Sequence, residues 1–174
     1  MYVLLCAPWR TQQHIQCIFV HETLRSTNID LVTYCKEQVI EACALKIETT
    51  LFNATIIAIY RTPSGNFNLF LNGLDNIIGS LFKVGAKLII CVDININYLT
   101  DSKKKRRLDA ILLTYNLTGI VQFPTRTQSQ SSTAIDNIFL DTCNITNYTI
   151  PPLYNGLSDH DAQLLTLNDV NTKL

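Results

Sequence analysis

The chain has 174 residues, 47% of them apolar, with 14 Lys plus Arg against 14 Asp plus Glu, so its formal net charge is zero. That length suits one domain rather than two, and that apolar content fills a core, which excludes disorder as the default. Zero net charge excludes attraction to a nucleic acid or an anionic membrane by the overall field, so any such binding needs a local site.

Cys6, Cys17, Cys35, Cys43, Cys91 and Cys143 form no CxxC pair and have no His at ligand spacing, so they are read as buried thiols of an intracellular protein. Asn-x-Ser/Thr sequons begin at Asn53, Asn116, Asn144 and Asn147 and are read as accidental. Residues 1–6 are too short an apolar stretch for a secretion signal or a membrane span, so the expected compartment is the nucleus or cytoplasm, with no membrane partner.

In chain order, residues 14–21 read as a strand, 38–48 as a second and 51–60 as a third, ended by the turn residues Thr62, Pro63, Ser64 and Gly65. Phe67, Phe70, Leu71, Leu74, Ile77, Ile78 and Leu81 recur at spacings of three and four, which predicts an amphipathic helix over 66–82. Residues 87–92, almost continuously apolar, predict a central strand ending at Asp93. Ser102 is a candidate N-cap for a helix running to Tyr115. Short strands are expected near 119–122, 134–140, 145–150 and 162–167. Many strands with few helices between them favour an α/β or α+β sandwich over a doubly wound parallel sheet.

Polar residues that break the apolar pattern sit at strand ends. Asp93 and Asn95 follow the central strand, where a carboxylate and an amide point into a loop crevice, although an Asx turn explains them equally simply. Asp136 is a charge in an otherwise apolar strand and needs a partner. His160, in the loop Ser158, Asp159, His160, can trade protons near neutral pH, and Asp159 is a hard oxygen ligand suited to magnesium or manganese. A dyad of Asp136 with His160 fixes the imidazole's tautomer. Tyr60 and Arg61 can present a phenol and a guanidinium to a phosphate.

The ordered series YRTP, VDININ, PTRT, AIDNIF and LSDHD resembles the endonuclease/exonuclease/phosphatase superfamily, and within it the endonuclease domain of animal non-LTR retrotransposons, over about residues 14 to 167. The resemblance implies a DNase I-like fold, a two-layer β-sandwich flanked by helices, that cuts DNA phosphodiester bonds with Mg2+ or Mn2+. It implies that Tyr60 contacts the scissile phosphate, Asp93 aligns or deprotonates water and Asn95 holds phosphate oxygens. Thr125 is to lie near the phosphate, Asp136 to orient His160, Asp159 to face the metal and His160 to stabilise charge on phosphorus.

The chain departs from that pattern. The family's first strands, with an asparagine and a metal-binding glutamate, have no counterpart before His14, and Glu22, Glu37, Glu41 and Glu48 do not match the motif. The expectation is therefore a domain over 14–168 lacking the family's first strands, preceded by a non-family segment 1–13 and followed by a tail 169–174, with impaired metal binding and activity. Lys103 to Arg107 is the densest basic run, with Lys104 and Arg106 the candidate phosphate contacts against the simpler reading of a solvated helix face. Two rivals stand beside a DNA endonuclease: an inert remnant that at most binds nucleic acid or protein, and another chemistry of the superfamily, such as a phosphomonoesterase or sphingomyelinase.

Overall fold

The computed structural model describes residues 4–5, 17–49, 52–85, 87–128, 131–154, 156 and 158–168. Its strands are β1 (Leu4–Leu5), β2 (Ile18–Phe19), β3 (Arg25–Ile29), β4 (Ile40–Glu48), β5 (Asn53–Arg61), β6 (Lys87–Asp93), β7 (Leu117–Gly119), β8 (Arg126–Gln128), β9 (Ser131–Thr133), β10 (Asp136–Asp141), β11 (Tyr148–Thr149), β12 (Pro152–Leu153), β13 (Ala162–Gln163) and β14 (Thr166–Leu167). The helices are α1 (Phe67–Leu81) and α2 (Lys103–Thr114).

A six-stranded sheet in the order β3-β4-β5-β6-β10-β7 divides the molecule. The β5–β6 pair is parallel, as a crossover through α1 requires, and the other pairs are antiparallel. Alternation along β4, β5 and β6 sends Ile40, Ile57, Ile59, Leu88, Ile90 and Val92 to one face, where Phe70, Leu74, Ile77 and Ile78 of α1 and Leu108 and Leu112 of α2 cover them. Leu45, Ile47, Ile56, Ile89, Ile138 and Leu140 go to the other face, against Phe52, Val121 and Ile145 and the partly buried residues Ile18, Tyr148, Leu165 and Leu167. The second layer is thus built of two-stranded ribbons, β1-β2, β11-β14 and β12-β13, rather than one broad sheet. The expected sandwich with flanking helices stands, with both helices on one face.

Both helices start where side chains satisfy their first amides. The Asn66 side chain accepts from the amides of Asn68 and Leu69, and Ser102 Oγ accepts from Lys105 N. The strand expected at 119–122 lies at Leu117–Gly119, where Gly119 pairs with Phe139 and a Cβ would meet Tyr98 Cε1 at 2.8 Å. Of the strand expected over 14–21, Ile18–Phe19 is strand, His21 makes a turn to Thr23, and residues 14–16 lie outside the described residues. The expected segment boundary at residue 13 and the tail 169–174 also lie outside them. The thiols depart from the buried reading too: Cys143 is exposed, Cys17, Cys35, Cys43 and Cys91 are of intermediate exposure, and Cys6 is outside the described residues. No described helix is long and apolar enough to cross a membrane.

Candidate active site

Register across the sheet aligns the polar strand ends. Glu41 of β4 stands opposite Tyr60 of β5, Tyr60 opposite Asp93 of β6, and Asp93 opposite Asp136 of β10. Directly paired residues share a face, so these four side chains form one row on the ribbon side at one end of the sheet. Tyr60 is 7% exposed within that row.

The loop before β13 delivers His160 to the row. Its Nδ1 lies 3.0 Å from Asp136 Oδ2 and 3.3 Å from Oδ1, with the imidazole and the carboxylate mostly buried. Thr125, wholly buried, is the second partner of that carboxylate: its hydroxyl donates to Asp136 Oδ2 at 2.8 Å and accepts from the amides of Ile135 and Asp136. Thr125 therefore holds Asp136. The half-buried charge at Asp136 is satisfied from both sides.

Asp93 is less well satisfied. Its Oδ1 is buried without a hydrogen-bond partner. Burial first, and the charge of Asp136 second, push its carboxyl up to about 7, against the opposing pull of His160. His160 is raised above the usual imidazole value, chiefly by its hydrogen bond to Asp136. Ligand atoms of Asp93, Asp136 and His160 all lie within 4.8 Å of one another. An orphaned buried carboxylate oxygen beside a second carboxylate and an imidazole is a donor set that fits a divalent cation.

The remaining candidates are placed as follows. Asp159 is outside that trio: its Oδ2 accepts from Arg126 Nε at 2.7 Å, which holds Asp159 below the usual carboxylate range. Asn95 adopts the left-handed conformation (φ 52°) and its Nδ2 donates to the Arg61 carbonyl at 2.7 Å, tying the loop after β6 to β5. Arg61, expected to offer its guanidinium to a phosphate, is instead 1% exposed and faces the helices. It donates to the carbonyls of Ile94, Pro63 and Gly65 and lies over the rings of Phe67 and Phe70. Lys104 and Arg106 are exposed on α2, on the helical side of the sheet, with Lys104 over the Phe67 ring and Arg106 3.6 Å from Asp101. Lys105 of the same run is half-buried and donates to the Tyr98 carbonyl, a structural bond. A cavity of about 530 Å³ beneath α2 and β7, lined by Tyr98, Asp109 and Gly119 among others, shares no residue with the cluster.

Glu41 and Arg126 join this neighbourhood without having been singled out from sequence. Counting alternate residues back along β4 from its hairpin with β5 would have placed Glu41 on the face of Tyr60. Nothing local marks Arg126.

No protein-family model and no curated protein matches the chain. Solved structures do. The endonuclease domain of TRAS1, a telomere-specific non-LTR retrotransposon, matches with a TM-score of 0.73 over 95% of this chain and 80% of that one, at 13% identity. This chain has a DNase I-like fold. TDP2 of D. rerio, complexed with a single strand DNA product, shares it with a TM-score of 0.56 at 12% identity, over 84% of this chain and 68% of that one. An AP endonuclease from Archaeoglobus fulgidus shares it with a TM-score of 0.52 at 10% identity, over 72% and 65%. At these identities the likeness is one of fold, and within that DNase I-like sandwich the candidate residues stand at the ends of the sheet strands.

Proposed function

We propose that the chain is a hydrolase of phosphodiester bonds in DNA, of the retrotransposon endonuclease kind. The observation that carries this reading is the convergence of Asp93, Asp136 and His160, from segments far apart in sequence, with His160 Nδ1 bonded to Asp136 and an unpartnered Asp93 oxygen beside them. The fold shared with the TRAS1 endonuclease domain supports the substrate class.

The roles follow from the chemistry of each group. With Nδ1 committed to Asp136, the other ring nitrogen of His160 is the one available to substrate, and a raised imidazole keeps a proton there to donate to charge developing on phosphorus. Asp93, pushed up to about 7, is matched to taking a proton from water near neutral pH. Tyr60, beside Asp93 in the row, would touch a phosphoryl oxygen, and Asn95 fixes the loop between them and α2. The carboxylates of Asp93 and Asp136 would hold a divalent cation, Mg2+ or Mn2+, which when bound supplies Lewis-acid stabilisation of phosphate charge. Lys104 and Arg106 are read as outlying contacts to the DNA backbone.

Plasmid nicking with added Mg2+ or Mn2+ tests the reading. His160→Ala, Asp93→Asn and Asp136→Asn are each expected to lose on the order of 10² to 10⁴ in rate. Nicking that survives all three changes, or no nicking by the unaltered chain, overturns it. Retained DNA binding in the latter case would favour the binding-module reading.

A further inference from the structure

His160 reaches the site on a loop that β8 grips. Thr127 N donates to the Asp159 carbonyl at 3.0 Å, Asp161 N donates to the Thr125 carbonyl at 2.7 Å, and Arg126 and His160 form an antiparallel bridge. Consecutive residues of this segment thus hold two carboxylates: Thr125 bonds Asp136 and Arg126 bonds Asp159. The main-chain bonds place the loop's backbone. The Arg126 side chain holds the Asp159 carboxylate.

A stabilising role does not explain that bond. The two side chains are 27% and 35% exposed, and ion pairs that accessible contribute little to stability. Position explains it better. Asp159 neighbours His160 in sequence and is a further carboxylate of a neighbourhood in which His160 is already the hydrogen-bond partner of Asp136. An unrestrained Asp159 can turn to the same imidazole and compete for it, and a ring shared between two carboxylates no longer has one orientation.

We propose that Arg126 is a positioning residue: by tethering Asp159 it leaves the His160 imidazole to Asp136 alone. This rests on reading the His160–Asp136 pair as the functional dyad. Outer partners that orient a site group commonly matter 10- to 100-fold.

The test compares the unaltered chain with Arg126→Gln, Arg126→Lys and Arg126→Gln/Asp159→Asn. In 15N-labelled protein without added metal, the His160 Nδ1–H resonance is expected to broaden and exchange faster in Arg126→Gln, and to return in Arg126→Lys and in the double variant, where the competing carboxylate is gone. In nicking assays Arg126→Gln is expected to lose about 10- to 100-fold in kcat with KM little changed. A His160 resonance identical in Arg126→Gln and the unaltered chain overturns the proposal, as does a raised KM with kcat preserved, which would make Arg126 a substrate contact. If the unaltered chain nicks nothing while the resonances change as described, the hydrolase reading fails and the positioning role holds.

Discussion

Asp93 is held where its charge works against the fold. Its carboxyl is pushed up to about 7 by burial and by Asp136, whereas an unfolded aspartate titrates near 3.9. The folded state therefore binds a proton more tightly than the unfolded state, and Asp93 weakens the fold progressively as pH rises from about 4 through about 7. His160 has the same sign: its raised value gives stability that is present below the unfolded imidazole value of about 6.5 and is lost as pH rises through the folded value. Without added metal, thermal unfolding followed by circular dichroism is expected to show Asp93→Asn more stable than the unaltered chain at pH 8, on the order of 1 to 3 kcal/mol, with the difference vanishing near pH 4. The same substitution is expected to abolish nicking, so stability and activity move in opposite directions. A stability difference equal at both pH values would mean that Asp93 is solvated and unperturbed.

Two turns at the site end of the sheet depend on one buried cation. Arg61 gathers the carbonyls of Pro63 and Gly65, in the turn leading to α1, and of Ile94, in the loop leading to α2. Asn95 returns the connection through the Arg61 carbonyl. Arg61→Ala leaves the buried Ile94 carbonyl without this donor and opens a gap beside Phe67 and Phe70, so it is expected to cost about 2 to 4 kcal/mol in denaturant unfolding. A change within about 0.5 kcal/mol would show that water replaces the guanidinium at no cost. Sequence reading could see the strand end at Arg61 but not which way its side chain turns, since that depends on α1 and the loop after β6 meeting there. The same distinction runs through the fold. β4, β5, β6, α1 and α2 were legible because each is long enough for a period to show. β3 was not: four of its five residues are exposed, so an edge strand leaves no apolar alternation to read. The ribbons, with strands of two or three residues, carry no period at all. In the site, Asp93, Asp136 and His160 were legible as polar breaks in apolar context, while Thr125's grip on Asp136 and the Arg126–Asp159 bond exist only once distant segments meet.

At the scale of the molecule, the site lies on the seam between its two β layers. Asp93 and Asp136 belong to the six-stranded sheet, and His160 to the segment that leads into the ribbon β12-β13 on the sheet's other side. A cation bound by the two carboxylates, one of them bonded to His160, would bind the folded chain alone, because nothing holds these residues together in the unfolded one. Binding of that kind stabilises by mass action, about 2.7 kcal/mol at a free concentration one hundred times Kd. For a domain of this length that corresponds to a rise of about 5 to 10 °C in Tm. Titrating Mg2+ or Mn2+ into the chain is expected to raise Tm in this way, and EDTA to reverse it. Asp136→Asn is expected to lose most of the rise, and His160→Ala, which leaves Asp136 without its imidazole partner, a part of it. Asp93→Asn should lose it too, although that chain starts from a higher Tm at pH 8, which separates loss of the cation from loss of the fold. An equal rise in all four chains would place the cation elsewhere on the surface, and the seam would then be held by packing and by the His160–Asp136 bond alone.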